Sequence, residues 1–487
     1  MKQRSKLVNY ATVTILLVLG LLTACSEKII NPVTVDTVPA IFPDYTDVTI
    51  PATIAPLNFT MNEAFAKINV VIEDSKGNKI EVQGKKNIQI PIKKWQSILK
   101  ENVDGEITVT VAVKQENQWK QYRSFPIYIS KYPIDESLAY RLIAPGYEIY
   151  SKMGIYQRSL SDFKQTTLLE NTLVFPSCVN CHSFKQTSVD DMSLHVRGEY
   201  GGTILQTNRK TDVLNLKRDS LIGPGVYPYW HPQGKYIAYS VNTTQQMFHS
   251  AADERIEVVD LESDIIVYDI ESNKVLTTPL LKTENFETFP SFSPDGKTLY
   301  FSCSSKQRLP GDYKEIRYNL CKIDFNPENG SFGTKIDTLV WADKDQKSIS
   351  FARPSYDGKY IMYVLSDYGN FSIWHKEADL WLLDLQTGEN RLLTEVNSPD
   401  TESYHSWSSN SHWFVFSSRR IDGLYTRPYI ASIDETGKIS KPFLLSQKHP
   451  DYYLESLFSF NIPEFVNGQV KLDISTLRKQ LVSKQRK

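Results

Sequence analysis

The sequence predicts an all-β chain: an N-terminal immunoglobulin- or fibronectin-like β-sandwich followed by a six-bladed β-propeller. Three observations predict it. Short alternating β-runs fill residues 35–130, a two-part repeat recurs from about residue 145 to 465, and aromatic residues make up 12% of the 487, with 27 Tyr and 22 Phe. A chain of this length implies two or three domains, and the 41% hydrophobic fraction is ample for packed cores. A net charge of −1 gives no argument for nucleic acid or an anionic surface.

The sandwich is read from runs such as Ala66-Lys-Ile-Asn-Val-Val-Ile72 and Glu106-Ile-Thr-Val-Thr-Val-Ala-Val113, with Asp74-Ser-Lys-Gly-Asn78 as a turn cluster. Pro51, Pro56, Pro91 and Pro126 suit strand edges and starts. A short amphipathic piece, Ile92 to Leu99, reads as a helical connection. The module is expected to act as a spacer.

The propeller is read from its repeat. One half is an aromatic or Pro-containing strand, a turn and a second strand: Tyr227–Ser240, Phe289–Ser302, Ala352–Tyr363 and, more loosely, Tyr404–Ser417. The Pro294-Asp295-Gly296 centre is turn chemistry, Pro fixing φ and Gly taking the positive φ. The other half is strand, polar turn, strand, as in Asp264–Leu276 and Asp379–Leu393, with looser versions at 203–216, 320–339 and 428–445. Gly154–Leu169 is one more second half, and Tyr452–Pro463 a degenerate first half. Phe175-Pro176-Ser177 aligns with Phe289-Pro290-Ser291, which places Cys178-Val-Asn-Cys181-His182 where other copies carry their turn, and Met192–Val196 as the strand after it. The count is six blades, the first carrying a Cys-x-x-Cys-His insertion within residues 175–200. Residues 131–150 read as a linker, 151–465 as the propeller and 466–487 as a frayed polar tail. These repeats resemble those of TolB-type propellers.

At the N-terminus, Lys2, Arg4 and Lys6 precede the apolar run Ala11–Leu22, and Leu22-Thr23-Ala24-Cys25 resembles a lipobox. Residues 1–24 are expected to be a lipoprotein signal peptide, Cys25 the lipidated residue and 25–34 a tether. The membrane partner is thus a lipid anchor. Ser26 favours the outer membrane of a cell envelope, on a side left undecided.

Cys-x-x-Cys-His is the attachment signature of c-type haem. Cys178 and Cys181 would form the thioethers and His182 the proximal iron bond. His195, preferred over Met192, would be the sixth ligand, and Arg197 would pair with a haem propionate. Other readings of Cys178 and Cys181 stay open: a small structural disulfide, thiol exchange without a surrounding βαβ pattern, or a zinc site short of ligands. Cys303 and Cys321 are expected to form a disulfide across 304–320 or to be two small buried residues.

No hydrolase signature Gly-x-Ser-x-Gly and no Gly-rich phosphate loop occurs, so the chain is read as leaning away from an enzyme. Asp295, Asp357, Asp384 and Glu402 read as turn caps. His231, His249, His375, His405 and His412 are scattered over several blades, where propeller mouths collect ligand side chains.

Lipobox, sandwich, Cys178–Phe184 and propeller, with Leu142–Tyr147, His195-Val-Arg-Gly198 and Gly201-Gly-Thr203, together resemble a family of TolB-like lipoproteins of Bacteroidetes-type bacteria, some of them cytochrome-c-related. The resemblance implies the fold and a covalent haem c, and no assigned reaction. A soluble cytochrome c wraps its haem in helices; this chain has no obvious helical wrap, so propeller loops would hold the haem. The expected function is an envelope lipoprotein that transfers electrons, senses redox state or docks an envelope partner. The alternative is a haem-free scaffold binding a protein or glycan at a propeller face.

Overall fold

The computed structural model describes residues 28–144, 152–174, 177–214, 216, 221–250 and 254–484. The segment read as a signal peptide, with Cys25, lies outside them, as do Phe175 and Pro176.

In the N-terminal region the long strand Gly105–Gln115 is central. Its alternation buries Ile107, Val109, Val111 and Val113. One edge pairs with Lys67–Glu73, and the other pairs in succession with Phe125–Ser130 and Gln118–Gln121. Because this one strand is long enough to hold both neighbours, hydrogen bonding joins seven strands of the region into one sheet, and Ile41–Phe42 and Thr60–Met61 form a separate two-stranded sheet. The helix Ile92–Glu101 buries Trp95, Ile98 and Leu99 in the same core, and the Trp95 indole N–H donates to Ile54 O at 3.0 Å.

The rest of the chain is a propeller-like arrangement of antiparallel meanders. Ser177–Leu214, Ser348–Leu392 and Glu402–Leu444 each form a four-stranded sheet. Gly225–Leu276 and Phe286–Val340 are two further meanders, merged into one eight-stranded sheet by a single parallel bridge between Ser263 and Phe286. The remaining four-stranded sheet draws on both ends of this region. Its order runs from Ser459–Val466 through Ser137–Ile143 and Gly154–Ser159 to Gln165–Glu170. The stretch 131–150, read as a linker, therefore carries a sheet strand, and Leu138, Ala139 and Tyr140 on it are buried.

The segment read as a frayed tail also forms structure within its described residues, 466–484. Its helix Ile474–Lys484 buries Leu477 and Leu481, spaced one turn apart, against Val174 and Val213. Two large apolar side chains on one helical face outweigh the polar composition around them.

The turns follow the sequence. Asp295 Oδ1 accepts from Ser293 Oγ and Lys297 N, at 2.5 and 3.0 Å, and Gly296 takes φ +72°. Asp357 and Gly358 repeat the arrangement. Glu402 departs from the turn-cap reading: it is fully buried, with Arg420 Nη2 at 2.9 Å and hydrogen bonds from Ser398 and Ser418. Cys303 and Cys321, on neighbouring strands, are joined in a disulfide.

The N-terminal sheet and the propeller share a continuous apolar core. Polar links cross between them: Tyr45 OH donates to Leu444 O at 3.2 Å, and Lys441 Nζ lies 2.7 Å from Asp44.

Phe460 is fully buried on the strand that closes the ring of sheets. Phe460→Ala is expected to destabilise the chain by about 3–5 kcal/mol, read as a lower urea midpoint at unchanged slope.

Candidate functional site

Six strands line the propeller centre, and each carries the same deviation. The pairing register skips two residues in Ser177–Phe184, Gly225–Trp230, Phe286–Phe292, Ser348–Pro354, Glu402–Trp407 and Ser459–Val466. The first skipped residue is left-handed every time: Cys181 (φ +53°), Tyr227 (+49°), Phe289 (+50°), Phe351 (+54°), Tyr404 (+49°) and Ile462 (+52°). Such bulges re-aim side chains, and here all six line one narrow central channel. Four of the side chains are aromatic. The two smaller ones, Cys181 and Ile462, lie on strands that contact each other.

This corrects the alignment made from sequence. Cys178, Cys181 and His182 do not replace a turn; they lie on an inner strand. Cys181-His182-Ser183 is the counterpart of Phe289-Pro290-Ser291. The shared Phe-Pro-Ser triplet misled the alignment, because the feature that repeats is a backbone bulge that accepts Phe, Tyr, Ile or Cys.

His182 is 2% exposed, and neither ring nitrogen makes a hydrogen bond, although the backbone of Ala139 and Ile462 faces the ring. Burial, reinforced by Arg141 and Arg353, pushes its pKa down to about 3, so the imidazole is neutral with a lone pair available. Cys178 and Cys181 are both free thiols. Cys181 is 3% exposed, and burial raises its pKa against the opposing charge of Arg197. Arg197 pairs in register with Cys178. The structure therefore brings Cys178, Cys181, His182 and Arg197 together.

It does not bring His195 or Met192 into the channel. Met192 is buried in an apolar cluster with Val179 and Leu194. His195 is buried beside Thr203, its Nδ1 3.2 Å from Thr203 Oγ1. The strand Met192–Gly198 is second in its sheet, one place away from the channel.

The chemistry of the donor set fits a c-type haem: two free thiols, a neutral imidazole without a partner, and a guanidinium alongside. An aromatic-walled channel adjoins them. Among the described residues, no group of three or more His, Cys, Asp or Glu is placed to hold a metal ion by itself.

Of the histidines scattered over the blades, His405 is the one the structure places in the channel with His182. It occupies the position of His182 on the strand Glu402–Trp407 and lines the same channel. Its Nε2–H donates to Met362 O at 2.8 Å, and its Nδ1 has no partner. The repeated aromatic-then-Pro or aromatic-then-His pair was the available signal. His375 belongs elsewhere, between Glu257 (2.7 Å) and Glu377 (3.3 Å); burial opposes its charge, but these carboxylates push its pKa up to about 9. His231 and His412 bond backbone carbonyls of Gly296 and Ile433.

No family model matches the chain. Over 169 residues it is 24% identical to dipeptidyl-peptidase 5 of Porphyromonas gingivalis, a match that covers 34% of this chain and 20% of that protein. The chain thus spans about a fifth of the curated relative it matches. Among solved structures it is similar to an oligogalacturonate lyase in complex with manganese, at 13% identity over 63% of this chain and 74% of that one, TM-score 0.34. It is also similar to the tricorn protease, at 13% identity over 72% and 35%, TM-score 0.34. A puromycin-hydrolyzing peptidase of Mycobacterium tuberculosis follows at 11% identity over 85% and 57%, TM-score 0.36. The fold is read from the sheet order itself.

Burial, reinforced by Arg353, depresses the pKa of His405 to about 3. Unfolded, it would titrate near 6.5. Between these values the unfolded chain binds a proton that the folded chain refuses. Stability is therefore fully present above about pH 6.5 and falls toward pH 3, by up to about 1.4 kcal/mol per pH unit for this group. His405→Gln should flatten that slope, measured by urea unfolding at a series of acid pH values.

Proposed function

We propose that this chain is a lipid-anchored, six-bladed TolB-like propeller of the cell envelope that carries a covalent c-type haem on its inner strand Ser177–Phe184. The eight-stranded sheet counts as two blades in this reading. The observation that carries it is His182: a buried, neutral imidazole with two unpartnered ring nitrogens, next to two free thiols in Cys-x-x-Cys-His order.

Cys178 and Cys181 would hold the group through thioethers and His182 would bind its iron, which supplies one-electron exchange when bound. The chain's own contribution is threefold. Burial keeps His182 deprotonated, Arg197 offers a positive charge to a propionate, and Tyr227, Phe289, Phe351 and Tyr404 exclude water from the channel. Electron transfer or redox sensing at the envelope follows, with Cys25 as anchor and the N-terminal module as spacer. The peptidase activity in the name of the Porphyromonas relative is not carried over, since the chain contains no Gly-x-Ser-x-Gly.

A second reading, a haem-free docking platform for an envelope protein or glycan, is favoured by one observation. Cys181 and His182 are enclosed within the ring of inner strands.

Expression from Ser26 into a periplasm with c-type maturation factors separates the two. The expected outcome is a sharp reduced-minus-oxidised α-band and haem that stays on the chain through a denaturing gel. Both should be lost when Cys178 and Cys181 are replaced by Ala. A folded, colourless protein beside a working control cytochrome would leave the docking platform as the function.

A further inference from the structure

In the meander Gly225–Leu276 the second and third strands outrun their counterparts. Tyr236–Phe248 and Ile256–Asp269 have 13 and 14 residues, where the matching strands of the other meanders have 6 to 8. The inner strand accompanies them only as far as Gly225, which pairs with Val241. Beyond that level their pairing continues alone, from Asn242 with Ser263 to Phe248 with Ile256, and a bulge at Thr243 and Thr244 bends it. The excess is a two-stranded arm, and it leaves the blade at the end where the inner strand begins.

The arm reaches two other meanders through two carboxylates, Glu257 and Asp260, each 3% exposed. Glu257 Oε2 lies 2.7 Å from His375 Nε2, and Glu377 stands 3.3 Å from the other ring nitrogen. Asp260 Oδ2 accepts from Asn370 Nδ2 at 2.7 Å and from Tyr318 OH at 3.3 Å. Tyr318 belongs to the meander Phe286–Val340, and Asn370 and His375 to Ser348–Leu392. Carboxylates buried this deeply depend on such partners. Val259 adds an apolar contact, in a small cluster with Phe286, Ile316 and Tyr318.

An arm that starts on one meander and is fastened to the next two lies across the mouth of the ring. Burial raises the pKa of the channel residue Tyr227, and Cys181 and Asp260 raise it further, so both are its close neighbours. At the opposite end Trp230, Trp407, Arg353 and Glu464 leave space for about one water molecule. The channel beside Cys181 and His182 has no more room than that. At the base of the arm Asn242 Oδ1 and Ser263 Oγ, on residues paired in register, are buried without a hydrogen bond. Hydration of these two groups would offset part of the cost of lifting the arm. We infer that the arm is a lid over the channel, latched by Glu257 and Asp260, and that it lifts as a unit to expose the Cys181 thiol. The inference concerns access to that thiol and does not require the haem.

The test uses the chain from Ser26 with Cys178→Ala, made without maturation factors, so that Cys181 is the free thiol among the described residues. Its reaction with N-ethylmaleimide is timed, and amide hydrogen exchange is measured on the same sample. Amides paired within the arm, over 244–248 and 257–260, should exchange together and faster than those over 237–241 and 265–268 on the same two strands. Glu257→Gln should speed arm exchange and Cys181 labelling by one common factor, about tenfold or more, and leave the amides of 237–241 and 265–268 unchanged. Asp260→Asn takes its place if the first variant does not fold, and if neither folds the comparison of the two halves in the unaltered arm decides. Arm amides that exchange no faster than the rest of their strands would overturn the inference. So would a variant that speeds both halves alike, which is a general loss of stability, or one that speeds arm exchange without a matching rise in labelling.

Discussion

The antiparallel pairing of Ser459–Val466 with Ser137–Ile143 holds the two ends of the propeller in one sheet, Ser137 facing Val466. Closure leaves no long open edge between the first and last meanders, which is how repetitive β architectures avoid edge-to-edge association. It carries the loop-closure entropy of nearly the whole propeller, and contacts so distant in sequence form slowly. What it secures is the channel. Inner strands from every meander face one another only when the last one is in place, and the burial of Cys181, His182, His405 and Glu464 depends on it.

Closure also sustains the bulges. Six residues, none of them glycine, sit near φ +50°, a conformation that costs L-residues about 1 kcal/mol or more and persists only where the surroundings over-determine it. Each bulge swings a side chain toward the axis. Tyr227 and Phe289 meet edge to face 4.6 Å apart, Phe289 and Phe351 are tilted at 4.2 Å, and Phe351 and Tyr404 meet edge to face at 5.0 Å, so an aromatic arc runs round most of the channel. The arc is broken where Cys181 and Ile462 stand, and His182 lies at that break. The same backbone device that packs aromatics elsewhere therefore presents a thiol and an imidazole here.

Charge follows the same logic. The chain is nearly neutral overall, yet it buries ionisable groups, each with a partner that makes burial tolerable. Glu402 is held by Arg420, and Arg427 donates to the carbonyls of Tyr453, Ser456 and Phe458. Arg419 lies 3.4 Å over the Trp374 ring. His182 and the Oε1 of Glu464 depart from this pattern, lacking hydrogen bonds in cavities that open on the channel axis.

Local chemistry made much of this legible in advance. The Ser-x-Asp-Gly-Lys turns at 293–297 and 355–359 act through a side chain and a positive φ within five residues, so they could be read directly. The alternation of Glu106–Val113 predicted its buried face for the same reason. The Cys178, Cys181 and His182 motif was evident from spacing alone. What the sequence could not decide was anything set by pairing between distant segments. Ser137–Ile143 looked like linker because its partner lies at the far end of the ring. The tail looked frayed because Leu477 and Leu481 matter only against Val213. His195 looked like a ligand because it is near in sequence, whereas His405, distant in sequence, shares the channel with His182. Spacing along the chain determined which chemical groups this protein possesses; the register of strands and the closure of the ring decided which of them meet, because burial and alignment of inner strands are properties of the assembled sheets and of no single segment.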